Sequence, residues 1–135
     1  ESALHLLVKD VFAETKEIFV PDFHHDYKSD NQNSIYGNRG KIVLFDSVIL
    51  EKEKNKDGKK IIPDAIGFKK GKSLFIEFVV THFCDEEKLV KIKKFNTPTI
   101  EVIVDPKTAI LDPAFLKNLL LENSSEKYFL FNPEF

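Results

Sequence analysis

Two segments of the chain are so rich in apolar residues that we expect both to form buried β-strands. The first lies at about residues 59–68, and the second, SLFIEFVVTHF, begins at Ser73. The second segment is apolar at odd and even positions alike, which is typical of a central strand covered on both faces. Each segment nevertheless carries a carboxylate, Asp64 in the first and Glu77 in the second. A buried carboxylate costs several kcal/mol unless hydrogen bonds or a cation compensate it.

The remaining pattern predicts a mixed α/β order. Apolar residues at helical spacing indicate a first helix over residues 2–19, which Pro21 ends. Residues 22–40 are polar and rich in turn formers, so we expect a long loop. The other predicted elements are a strand at 41–51, a helix at 86–95 that Asp85 caps, a strand at 97–105, a helix at 112–123 and a short edge strand at 127–131. This order predicts an α/β sandwich around a sheet of mixed strand direction.

The two carboxylates lie on strands joined by the tight turn KKGK, so a hairpin brings them side by side. Adjacent carboxylates repel each other, and either one is protonated or a cation lies between them. Oxygen ligands of this kind suit Mg²⁺ or Mn²⁺ better than Zn²⁺. The alternative is that each carboxylate pairs with a lysine of a nearby turn.

Lys88 is the second unusual residue. In the helix predicted at 86–95, Leu89, Ile92 and Phe95 form the face that packs on the sheet, and Lys88 falls between Ile92 and Phe95 on that face. A lysine on a buried face is rare unless it is paired, although its ammonium can also reach the rim. Its natural partner is Glu77 in the preceding strand.

The first helix carries a stripe of Glu1, His5 and Lys9 beside its apolar face, at spacings of four residues. Polar groups that border a packed face can line a cleft. Surface pairing of Glu1 with His5 and Lys9 explains the spacing equally well.

The hairpin with Pro63-Asp64 and Glu77, followed by a helix, resembles the PD-(D/E)XK nuclease superfamily, and within it the CoiA-like competence nuclease family. The similar segments are ESALHLLVK, IIPDAIGF, IEFVVTHFCDEEKLVKIKK and TIEVIVD. The resemblance implies a restriction-endonuclease-like sandwich with an αβββαβ core and a mixed sheet of four to five strands. It covers residues 1–105, and we expect residues 106–135 to be a helical extension packed on the same domain.

The resemblance implies a DNA nuclease, an endonuclease or exonuclease, that hydrolyses phosphodiester bonds with Mg²⁺, or Mn²⁺, held by Asp64 and Glu77. The superfamily lysine two residues after the glutamate is replaced here by Val79, and Lys88 is expected to supply the ammonium instead. Glu1 and His5 are expected in the catalytic site. Further substrate contacts are expected from Lys9, Arg39 and His82.

Three other functions stay open. Val79 and the small net charge favour a domain of this fold that binds DNA or assembles with partners without cutting. A zinc site is a weaker alternative, with ligands drawn from His24, His25, His82 and Cys84. A Cys84–His nucleophilic pair is weaker still, because no third orienting group stands at a recognisable spacing.

Composition bears on the size of the core, the cellular compartment and the partners of the protein. The chain has 135 residues, enough for one core, and its single cysteine suits a reducing, cytoplasmic compartment. No apolar run approaches the ~20 residues that span a bilayer, and the lack of methionine, even at position 1, indicates a piece of a longer protein. Fourteen basic and nine acidic residues lie between Arg39 and Lys94, which is compatible with a surface for DNA. The sequence does not identify a homodimer interface.

Overall fold

The computed structural model describes residues 1–21, 40–80, 86–122 and 126–132. Its elements in chain order are α1 (Ala3–Thr15), β1 (Glu17–Pro21), β2 (Gly40–Leu44), β3 (Ser47–Leu50), β4 (Lys54–Lys56), β5 (Lys59–Ile61), β6 (Ala65–Lys69), β7 (Lys72–Val79), α2 (Glu86–Phe95), β8 (Thr99–Ile103), α3 (Pro113–Leu121) and β9 (Lys127–Phe131). The predicted mixed α/β class is confirmed. No helix in these ranges is long and apolar enough to cross a membrane.

The main sheet has five strands in the order β3-β6-β7-β8-β9. Strands β3, β6 and β7 form an antiparallel meander, whereas β8 lies parallel to β7 and β9 antiparallel to β8. The parallel pair requires a crossover, and α2 provides it. Strand β7 is therefore central, as its apolar residues at both parities predicted, and β9 is the edge strand expected at 127–131.

Helices cover both faces of this sheet. Helices α1 and α3 pack on the face formed by Ile76, Phe78, Ile100 and Val102, with Phe12 of α1 fully buried against Phe78. Helix α2 packs on the opposite face through Leu89, Ile92 and Phe95, as its periodicity predicted. The core thus has two apolar layers, one on each side of the sheet.

The first helix is shorter than predicted. Ser2 caps its start by accepting a hydrogen bond from His5 N at 3.1 Å, and Lys16 ends it in the left-handed conformation with φ 59°. Ile18 and Phe19 fit the helical periodicity, but they lie in β1, which pairs with β2. The prediction of one helix over 2–19 was wrong because strand pairing outweighs the local pattern.

Two predicted strands are each divided in the structure. The segment predicted at 41–51 breaks at Phe45, whose ring lies against Gly67. A Cβ atom on Gly67 would come within 2.6 Å of that ring. The segment predicted at 59–68 breaks at Pro63, which lacks a backbone N–H for a sheet. Its first half pairs with β4 in a separate hairpin, and its second half enters the main sheet as β6. Asp64 therefore lies just before a strand, not inside one.

Lys127, the first residue of β9, is a buried cation outside the predicted site. It is 1% exposed, and its Nζ donates hydrogen bonds to the carbonyls of Leu119 at 2.8 Å and Glu122 at 2.7 Å at the end of α3. Burial lowers the pKa of Lys127 from 10.5 to about 8, although Glu122 and Glu126 act in the opposite direction. The lysine satisfies helix carbonyls that lack partners within the helix.

We expect Lys127 to make the free energy of unfolding rise with pH between about 8 and 10.5. In that range the unfolded chain binds more protons than the folded chain, so deprotonation favours folding. The gain is at most about 3 kcal/mol, and Lys127→Met should not show it. Urea denaturation at several pH values measures both, with the exposed Lys117→Met as the control. Parallel pH curves for Lys127→Met and wild type would contradict this assignment.

Candidate metal centre

Asp64 and Glu77 are linked by hydrogen bonds across the β6–β7 hairpin. The backbone N–H of Asp64 donates to Glu77 Oε2 at 2.9 Å, and the backbone N–H of Phe78 donates to Asp64 Oδ2 at 2.8 Å. Each carboxylate thus accepts a hydrogen bond from the backbone of the other strand. The structure brings the two predicted acids side by side, and it satisfies them partly with backbone donors.

Lys88 completes this arrangement from α2. Its Nζ donates to Glu77 Oε1, so both oxygens of Glu77 are engaged, one by a backbone N–H and one by an ammonium. The side chain of Lys88 is 36% exposed and that of Glu77 8%. The ammonium therefore lies between the Glu77 carboxylate and solvent. This agrees with the position of Lys88 on the helix face that packs on the sheet.

The environment of Glu77 disfavours its negative charge. Burial raises the pKa of Glu77 above the usual 4.5, and the nearby Asp64 carboxylate raises it further, while Lys88 and the backbone N–H of Asp64 lower it in part. The net direction is upward. A cation close to Asp64 and Glu77 would relieve this electrostatic cost.

Glu1 and His5 reach the same place from α1, on the other side of the sheet. His5 Nδ1 lies 2.6 Å from Glu1 Oε2, and His5 Nε2 lies 3.2 Å from Asp64 Oδ2. One donor atom from each of Glu1, His5 and Asp64 falls within 4.8 Å of the others. Asp64 is therefore the residue shared by the α1 side and the α2 side.

This set of two carboxylates and one imidazole has the chemistry of a divalent metal site. Mn²⁺ accepts mixed oxygen and nitrogen ligands, and Mg²⁺ accepts the carboxylates. Among the described residues, both His5 Nε2 and the backbone N–H of Phe78 contact the same oxygen of Asp64, Oδ2. This grouping differs from the predicted pair of Asp64 and Glu77, since the three residues whose ligand atoms lie within 4.8 Å of one another are Glu1, His5 and Asp64.

Lys9 is more buried than Glu1, whereas a residue that contacts substrate is expected to be accessible to it. Its side chain is 3% exposed, and Nζ donates to Glu1 Oε2 at 2.5 Å and to Glu51 Oε2. The hydrogen bond from Lys9 lowers the pKa of Glu1. Burial lowers the pKa of Lys9, but Glu1 and Glu51 outweigh it and the net direction is upward.

Two acids near the site were not singled out from the sequence. Glu51 stands just after β3 with φ 52°, and its N–H donates to Asp64 O at 3.1 Å. Glu101 is fully buried, stands opposite Glu77 in the β7–β8 register, and accepts a hydrogen bond from Tyr128 Oη at 2.7 Å. Glu101 could have been noticed in the sequence, because it is an acid within the apolar run TIEVIV. Glu51 gave no such signal, because it lies at a strand end among other charged residues.

A groove opens beside Lys88 between α2 and the β4–β5 hairpin. Its volume is about 340 Å³, and its polar lining is mostly basic, with Lys60, Lys88 and Lys91 against Glu87. Exposed Lys56 and Lys59 extend the basic surface along the hairpin. Lys88, which contacts Glu77, therefore lines a groove whose other charged residues are Lys60, Lys91 and Glu87.

Several predicted residues lie outside the described part of the chain. These are the substrate contacts Arg39 and His82, the zinc or nucleophile candidates His24, His25 and Cys84, and the helix cap Asp85. Residues 22–39 of the predicted loop also lie outside it. Comparisons with protein-family models, with curated proteins and with solved structures found no match.

We expect Glu77→Gln to change how the metal-free protein responds to pH. Because the folded pKa of Glu77 is raised, its contribution to stability is present below about 4.5 and is lost as pH rises through the folded pKa. The free energy of unfolding of Glu77→Gln, relative to wild type, should therefore increase as the pH rises above about 4.5. Urea denaturation in EDTA measures this difference. A difference that stays constant with pH would contradict the raised pKa, and Glu87→Gln on the surface of α2 is the control.

Proposed function

We propose that this chain is a metal-dependent DNA nuclease of the PD-(D/E)XK type, similar to the CoiA-like competence nucleases. The order of elements supports this proposal, since α1, the meander β3-β6-β7, α2 and β8 follow the αβββαβ order of that fold. The observation that carries it is the convergence of Asp64, Glu77 and Lys88 at one end of the β6–β7 hairpin.

The donor atoms fit a divalent ion. Glu1, His5 and Asp64 would hold Mn²⁺ or Mg²⁺, with Asp64 as the ligand common to the hairpin and to α1. When bound, the ion would lower the pKa of a coordinated water and neutralise negative charge on the phosphodiester. Glu77 would contribute negative charge beside the ion and fix the backbone of Asp64 through the 2.9 Å hydrogen bond.

Lys88 supplies the ammonium that the superfamily usually carries two residues after the glutamate. In this chain that position is Val79, which is buried at the end of β7. Lys88 reaches Glu77 from the neighbouring helix, and its side chain is 36% exposed. We assign it to stabilise the negative charge that develops on the phosphate oxygens, a task suited to a compact point charge.

A nucleic acid is the substrate class that the surface around Lys88 fits. Lys88 of the proposed site lines the groove together with Lys60, Lys91 and Glu87, and the β4–β5 hairpin adds further lysines. Lysines bind the phosphate backbone without reading the bases. We therefore expect DNA to bind with little sequence preference and with an affinity that falls steeply with salt.

The direct test is cleavage of linear, nicked and single-stranded DNA in Mg²⁺ or Mn²⁺. Asp64→Asn should reduce the rate by about 10³-fold or more, because it removes the shared ligand. Lys88→Met should reduce it by about 10²–10³-fold, because it removes the stabilising charge, whereas Lys93→Met on the same helix should have little effect.

Two outcomes would contradict parts of this proposal. Cleavage by Asp64→Asn at the wild-type rate would rule out the site, and equal effects of Lys88→Met and Lys93→Met would rule out the displaced lysine. Salt-dependent DNA binding by the wild-type protein without cleavage would instead favour the second candidate, a non-cleaving DNA-binding or assembly module. The apolar Val79 in the usual lysine position is the feature that favours that candidate.

A further inference from the structure

Lys9 occupies a position that is unusual for a lysine beside a metal site. Its ammonium lies almost out of contact with solvent, and it is hydrogen-bonded to Glu1 Oε2 and to Glu51 Oε2. The same oxygen of Glu1 lies 2.6 Å from His5 Nδ1. Glu1 Oε2 is therefore shared between the candidate ligand set and the lysine.

Glu51 is held near the same ligand set by its backbone as well as by Lys9. Its N–H donates to the carbonyl of Asp64 at 3.1 Å, immediately after β3 ends. Lys9 thus connects the start of α1, the end of β3 and, through Glu51, the residue that precedes β6. The ammonium itself makes the first two of these connections, and the backbone of Glu51 makes the third.

The arrangement has the form of a two-cation site in which one cation belongs to the protein. Two-metal sites in phosphodiester-cleaving enzymes hold their ions about 3.5–4 Å apart, so their ligands must be shared or adjacent. Here Glu1 is shared, with the set of His5 and Asp64 on one side and Lys9 with Glu51 on the other. A second divalent ion between Glu1 and Glu51 would have to displace a buried ammonium or lie against it, and like charges at that distance repel.

We propose that Lys9 is a built-in cation that takes the place of a second metal ion, so that the site binds one divalent ion per chain. This inference rests on the proposed metal centre of Glu1, His5 and Asp64, but not on DNA cleavage. It assigns Lys9 to hold Glu1 and Glu51 in position, in place of the substrate contact expected from the sequence.

The test is the number of Mn²⁺ ions bound per chain, measured by calorimetric titration and by electron paramagnetic resonance. The wild-type protein should bind one ion. Lys9→Ala should bind two, with the spin coupling of neighbouring Mn²⁺ ions, because the substitution removes the charge and opens space between Glu1 and Glu51. Lys9→Arg, which keeps the charge, should still bind one.

Glu51→Gln provides the matched control. In the Lys9→Ala background it removes the ligand that only the second ion would use, so the double variant should return to one ion per chain. Lys9→Ser is the second variant if Lys9→Ala does not fold, as judged by circular dichroism, because its hydroxyl keeps the vacated space polar.

Three outcomes overturn the inference. They are two ions in the wild-type protein, one ion with unchanged affinity in both Lys9→Ala and Lys9→Ser, and failure of both small variants to fold in the presence of saturating Mn²⁺. A wild-type protein that binds no ion overturns it together with the metal centre. One ion in the wild type and two in the variant, without DNA cleavage, would leave this inference standing and remove only the nuclease.

Discussion

The site depends on the reciprocal hydrogen bonds between Asp64 and Glu77. The backbone of each strand supplies an N–H to the carboxylate of the other, so the acids are fixed by the hairpin itself. Backbone donors are rigid and carry no net charge. They orient two carboxylates that would otherwise repel each other, and they leave enough negative charge to attract cations.

Two lysines approach this pair from opposite faces of the sheet. Lys88 comes from α2 and contacts Glu77, whereas Lys9 comes from α1 and contacts Glu1 and Glu51. Their exposure differs, since Lys9 is buried and Lys88 borders solvent. The buried Lys9 holds two acids in place. In the proposed function the partly exposed Lys88 would meet a phosphate, so the two lysines would have different roles in one site.

The sequence predicted the parts of this arrangement that follow from local periodicity. Helix α2, with Lys88 on its packing face, and the KKGK turn that pairs Asp64 with Glu77 both follow from spacing. The end of α1 and the division of two strands could not be predicted from spacing, because they depend on pairing between distant segments such as β1 with β2. Glu51 was missed for the same reason, since only the tertiary fold brings it to Lys9. Helical spacing placed Lys9 beside the apolar face, but it left open whether the side chain lines a cleft or pairs at the surface, because spacing does not report which residues of other segments pack on it.

In the proposed site, Asp64 of the hairpin holds one divalent ion together with Glu1 and His5. The most direct measurement is the anomalous scattering of Mn²⁺ in crystals of the protein soaked with the metal. We predict one peak per chain, about 2.1 Å from an oxygen of Asp64 and bonded also to Glu1 or His5. A peak that has no bond to Asp64, or no ordered ion at saturating Mn²⁺, would contradict the account.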